Sequence, residues 1–76
     1  MQQHSLFDLH VGQSARIADL CADGELVRRL RSMGFLPGMP VTLTGRTLFG
    51  LSMAVRVLGS TITLSGRNAK KIKVLA

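Results

Sequence analysis

Between Pro40 and the end of the chain, apolar residues recur at every second position in a series of short runs. Val41, Leu43 and Phe49 share one parity, and Thr42 and Thr44 the other. Leu51, Met53, Val55 and Val57 alternate with Ser52, Ala54 and Arg56. Thr61, Thr63 and Ser65 alternate with Ile62 and Leu64, and Ile72 and Val74 alternate with Lys71 and Lys73. A period of two over short runs is the pattern of strands with one buried face, and helices cannot satisfy it. Glycines punctuate the runs. Gly45 reads as a bulge or barrel corner, and Gly50 as the break between two strands. Gly59-Ser60 reads as a two-residue turn of type II′. Asn68 to Lys71 suits one helical turn.

The first half carries the helix. Asp23 is a suitable N-cap, and Glu25 places negative charge at the positive end of the dipole. Leu26, Leu30 and Met33 fall at i, i+4 and i+7, with Val27 beside them, which makes an apolar stripe over residues 24–33. Gly34 stands where a left-handed residue closes a helix, and Phe35 follows where it can pack back on Leu30. Pro37-Gly38 and Pro40 forbid continuation. Upstream, Ser14 to Leu20 alternates as a short strand with Ala15 and Ile17 on one face. Ser5-Leu6-Phe7-Asp8 can cap one helical turn. The expected fold is all-β: a small, partly open barrel of about five strands with one inserted helix.

Size decides what must hold this fold together. The chain has 76 residues and one cysteine, Cys21, with no four-ligand pattern for structural zinc. A single domain over 1–76 therefore depends on a packed core, which the 46% apolar content permits. The expected core is Ile17, Leu26, Leu30, Met33, Val41, Leu43, Val55, Val57, Ile62, Leu64, Ile72 and Val74. The net charge of +6 is unevenly placed. Residues 1–25 hold all four acids (Asp8, Asp19, Asp23, Glu25) and one base, for −3, whereas residues 26–76 hold nine bases and no acid. Such polarity points to an anionic partner or surface. No apolar run is long enough to span a bilayer, and Met1-Gln2-Gln3-His4 has no leader-like character, so a cytoplasmic chain is expected.

Four motifs in order resemble the FeoA family. Leu30-x-x-Met33-Gly34-Phe35-Leu36-Pro37-Gly38 resembles its LxxMGφxPG signature, and Arg28-Arg29 precedes it as in that family. Val11-Gly12 to Ile17 resembles its opening strand. Gly59, Ile62 and Leu64 match its hairpin, and Ala69-Lys70-Lys71-Ile72-Lys73-Val74 its closing strand. The family commonly has a hairpin resembling Gly-Gly-Pro-Leu-Gly-Asp-Pro between its second and third strands; residues 46–53 here lack the prolines and the aspartate. The resemblance implies an SH3-like barrel and an accessory role in bacterial ferrous iron uptake, beside the FeoB membrane GTPase permease at the inner face of the membrane. The same barrel is similar to the C-terminal domain of iron-dependent repressors.

The residues themselves leave several functions to weigh. Catalysis is disfavoured, because the acids cluster early and no phosphate-cradling loop is present. His4, Asp8, His10 and Cys21 are candidate ligands for weak Fe2+ or Zn2+ binding, since imidazole, thiolate and carboxylate suit both metals. The plainer reading is a solvated His4 on a mobile N-terminus and a partly buried Cys21, with no metal required. A nucleic-acid partner is disfavoured by the absence of Trp and Tyr for stacking, with Phe7, Phe35 and Phe49 the only rings. A metal-responsive regulatory domain is a further alternative. A protein partner fits best: Arg28, Arg29 and Arg31 form a basic helical patch, and Leu48, Phe49 and Leu51 flank a turn that is apolar if exposed. A homo-oligomer stays open. Arg67, Lys70, Lys71 and Lys73 read as solvation and as edge protection of the last strand, with no site assigned.

Overall fold

The computed structural model describes residues 3–75, with the backbone alone for Gln3 and Leu48. The alternating runs pair as strands, all antiparallel: β1 (Gln3–Ser5), β2 (Ser14–Leu20), β3 (Pro40–Arg46), β4 (Ser52–Val57), β5 (Ser60–Ser65) and β6 (Ile72–Leu75). Their order in the sheet is β1-β6-β2-β3-β4-β5. Helix α1 (Gly24–Ser32) joins β2 to β3, and the four-residue helix α2 (Gly66–Ala69) joins β5 to β6. Short 3-10 turns occupy Leu6–Asp8 and Leu48–Gly50.

The sheet curls around one core. Ile17, Val41, Leu43, Met53, Val55, Val57, Ile72 and Val74 project from four strands, β2, β3, β4 and β6, and are fully or almost fully buried together. Val41 pairs with Val57 and Leu43 with Val55, so matching parity on β3 and β4 places both pairs inward. The register then shifts between Leu43 and Gly45, the bulge expected there. Beyond it Gly45 opposes Ala54 and Arg46 opposes Met53. The shift puts Arg46 on the inward parity, at the open end of the barrel.

The two edges of the sheet are β1 and β5. The Leu6–Asp8 turn packs against α2, and Leu6 and Ala69 are both fully buried. Ser5 fixes this turn: its backbone N–H and its hydroxyl both donate to Asp8 Oδ2, at 3.2 and 3.0 Å. The two bonds from Ser5 hold the Asp8 carboxyl below its ordinary range.

Helix α1 ends as its sequence dictates. Asp23 Oδ1 accepts from Leu26 N at 2.9 Å. At the other end Phe35 N donates to Leu30 O and Gly34 N to Arg31 O, both at 3.0 Å, the paired bonds of a Schellman close. Gly34 takes φ +103°, and Leu30 and Phe35 are fully buried.

Several expectations need correction. A sixth strand, β1, pairs with β6, so β6 lies inside the sheet and its lysines protect no edge. The β4–β5 turn is Leu58-Gly59, not Gly59-Ser60, because Val57 pairs with Ser60. With φ of +54° and +78° at its two residues, the turn is type I′, whose twist matches the strands. The helical turn lies at 66–69, capped by Ser65 Oγ on Asn68 N, rather than at 68–71. Leu26 and Met33 sit at the two ends of the α1 stripe and are half-buried, as is Ile62 on the edge strand. Leu6, Leu9, Phe35 and Met53 complete the core instead.

Candidate functional site

At the mouth of the barrel where Arg46 emerges, three segments distant in sequence converge. Phe7 comes from the first 3-10 turn, Phe49 to Leu51 from the β3–β4 connection, and Ser65 to Lys70 from α2 and its flanks. They line an open groove of about 580 Å3. The Phe7 ring forms part of its lining. Two cations stack on it, with Arg46 Cζ 5.2 Å and Lys70 Nζ 4.7 Å from the ring centroid. Each such contact contributes about 0.5–1 kcal/mol at an exposed site. Arg46 Nη2 also donates to the Phe7 carbonyl, which ties the β3 end to the turn.

The groove depends on a close backbone crossing. Gly66 N donates to Leu51 O at 3.0 Å. A Cβ on Gly66 would stand 2.0 Å from Gly50 O and 3.0 Å from Phe7 Cε1, so only glycine allows α2 to meet the tip. The tip loop is closed by Thr47, whose N donates to Ser52 O and whose Oγ1 accepts from Ser52 N, both at 3.0 Å.

On this frame Phe49 is held outward. It is 86% exposed and adopts φ +69°, ψ +6°, a left-handed conformation that a bulky residue rarely takes. Leu51 is 73% exposed beside it. The expectation that Phe49 continues the β3 parity fails because β3 ends at Arg46. The Leu48 side chain lies outside the described residues. Arg67 and Lys70 are exposed at the groove, and no acid follows Glu25 in the chain. The nearest acid in sequence to Phe7 is Asp8, which is engaged by Ser5.

The structure thus pairs the apolar tip with Arg46, Arg67 and Lys70. Arg28, Arg29 and Arg31 are exposed on α1. That helix closes at Gly34, against which Leu58 packs from the opposite end of β4. The six residues of β4 therefore separate the two features by about 20 Å. Sequence reasoning missed Phe7, Arg46, Arg67 and Lys70 as neighbours of the tip. The one local signal was Phe49-Gly50, an aromatic beside a turn glycine with no partner of its own parity.

The candidate metal ligands are placed apart from this groove. His4 pairs with Val74 in β1, and Asp8 caps its turn. His10 is exposed after that turn, and Cys21 is exposed after β2 with its N–H on Lys71 O. Among the described residues no three His, Cys, Asp or Glu side chains come together as a metal site. Among the same residues no helix is long and apolar enough to cross a membrane.

Comparison with known proteins places this architecture. Comparison with curated proteins returns no match. The zinc complex of Stenotrophomonas maltophilia FeoA, described as a procaryotic SH3 domain protein, is 30% identical with a TM-score of 0.77, over 92% of this chain and 87% of that one. Iron(II) transport protein A from Clostridium thermocellum is 34% identical with a TM-score of 0.86, over 92% of this chain and 43% of that one. T. acidophilum IdeR shares the fold at 20% identity and a TM-score of 0.83, over 97% of this chain and 34% of that one. The family model of the FeoA domain matches residues 4–76. This SH3-like chain belongs to the FeoA family, which is linked to ferrous iron transport.

Proposed function

We propose that this chain is a non-enzymatic accessory of ferrous iron uptake that docks on the cytosolic part of a FeoB-like membrane GTPase permease through the Phe49–Leu51 tip. The observation that carries this reading is the backbone of Phe49. A left-handed conformation costs a residue with a Cβ about 1–2 kcal/mol, and a side chain 86% exposed returns almost no burial. The fold gains nothing from phenylalanine there. A partner that covers the ring gains the large contact area an aromatic side chain brings. The cations at the groove suit an acidic partner surface beside an anionic membrane, where each Lys or Arg contributes about 1 kcal/mol. Arg28, Arg29 and Arg31, at the far end, would add a separate and salt-sensitive contact. Iron enters as the transporter's cargo, so docking is expected with and without Fe2+.

The test is a pull-down with the permease's cytosolic GTP-binding domain. Phe49→Asp is expected to weaken capture at least tenfold with an unchanged unfolding temperature, and Arg29→Glu to weaken it less. Capture unaffected by Phe49→Asp overturns the tip as the docking surface.

A further inference from the structure

The two edges of the sheet are protected unequally. β1 is three residues long, and short edges template little. β5 is six residues long, Ser60-Thr61-Ile62-Thr63-Leu64-Ser65, with no charge, no proline and no break in its register with β4. It therefore lacks the usual devices that stop an edge from pairing with another chain. The two-residue turn fixes which groups are free. With Val57 opposite Ser60 across Leu58-Gly59, the residues bonded to β4 are Ser60, Ile62 and Leu64. Thr61 and Thr63 turn their N–H and C=O groups to the open side. Neither takes part in the backbone hydrogen bonds found outside the ladders among the described residues. Both side chains are exposed.

We infer that β5 is a strand-addition edge, which receives an extended acidic segment of the partner as a seventh strand. Charge selects the occupant. Arg56 is exposed on β4 directly opposite Thr61, and Ser65 leads into the groove where Arg67 and Lys70 stand. No acid in residues 26–76 offsets them. A second copy of the chain, carrying the same +6, is disfavoured by the same charges. Main-chain bonds to Thr61 and Thr63 supply the pairing, and alternate acidic side chains meet the cations. This inference rests on the docking reading of the groove, because β5 runs into it.

The edge is tested by amide exchange and chemical shifts of the full chain, with a synthetic octapeptide of alternating valine and glutamate as probe and its valine–lysine counterpart as control. The glutamate peptide is expected to shift the Thr61 and Thr63 amides and slow their exchange at least tenfold, and the lysine peptide to do neither. Thr63→Pro removes an edge N–H that faces solvent, so the fold is expected to persist while peptide affinity falls at least tenfold. Shifts confined to other residues, or equal effects of both peptides, overturn the inference. So does protection of both amides in the free protein together with a concentration-dependent dimer, which assigns the edge to a second copy. The permease domain separates the two claims. Binding lost with Phe49→Asp and kept with Thr63→Pro retains the docking tip and removes the seventh strand. The converse retains the edge and removes the tip.

Discussion

The β4–β5 turn and the β3–β4 tip use the same backbone for different ends. Each places a large apolar residue in the left-handed region directly before a glycine of positive φ: Leu58 at +54° before Gly59 at +78°, and Phe49 at +69° before Gly50 at +66°. Leu58 has a partner, since its Cδ1 lies 2.7 Å from where a Cβ on Gly34 would stand. It lies against Gly34 at the end of α1, although it is itself 67% exposed. Phe49 is more exposed and caps nothing, although the backbone beneath it is built with equal care. Leu58 has a packing contact within the fold to set against its strain; Phe49 is more exposed, and on the proposed reading a partner supplies the offset.

The largest effect is expected at the crossing under the tip. Gly66→Ala would drive a Cβ into Gly50 O, which is backbone and cannot swing aside. Destabilisation of about 3 kcal/mol is expected, read by urea unfolding, together with loss of permease capture. At the other turn, Gly34→Ala meets the far end of the flexible Leu58 side chain but keeps φ +103°. A smaller loss of about 1–2 kcal/mol is expected, with capture unchanged for the folded fraction.

Substitutions at the two left-handed residues themselves are expected to differ. Phe49→Asn replaces a strained aromatic with a residue that tolerates this conformation. A gain of about 1 kcal/mol is expected, or a rise of roughly 4–8 °C in Tm for a domain of this size. Leu58→Asn relieves the same strain but gives up the packing on Gly34, so its Tm is expected to stay within a few degrees of wild type. The smallest effect belongs to Asp8. Its carboxyl is held below its ordinary value of 3.8 by the two bonds from Ser5. A lowered folded-state pKa stabilises the fold above that ordinary value, and the contribution is lost as pH falls through the folded-state value. Asp8→Asn is expected to flatten the stability profile below about pH 4, followed by circular dichroism.

Much of the fold was legible, because the strands β2 to β6 bury one face and leave a period of two. The close of α1 was legible from Leu30, Gly34 and Phe35, whose spacing admits one backbone geometry. β1 was not, since three residues make no period and its pairing with β6 is long-range. Ile62 was overburied in expectation because parity reports the face of a strand and not its place at an edge. The groove was hidden for a different reason. Phe7, Arg46, Phe49 and Lys70 come from separate segments, and only the closure of the barrel brings them together. The bulge at Thr44 matters here, because it turns Arg46 toward Phe7 against the parity of the preceding strand. Arg28, Arg29 and Arg31 drew attention as a contiguous patch, while the cations that flank the tip are scattered along the chain.

On the proposed reading, Phe49 is maintained for contact and Leu58 for structure. That division is tested most directly by measuring permease-domain affinity and Tm together for Phe49→Asn and Leu58→Asn. Phe49→Asn is expected to melt higher than wild type and to bind at least tenfold more weakly, while Leu58→Asn keeps wild-type affinity. Retained affinity in Phe49→Asn, or an equal loss of affinity in both variants, would contradict it.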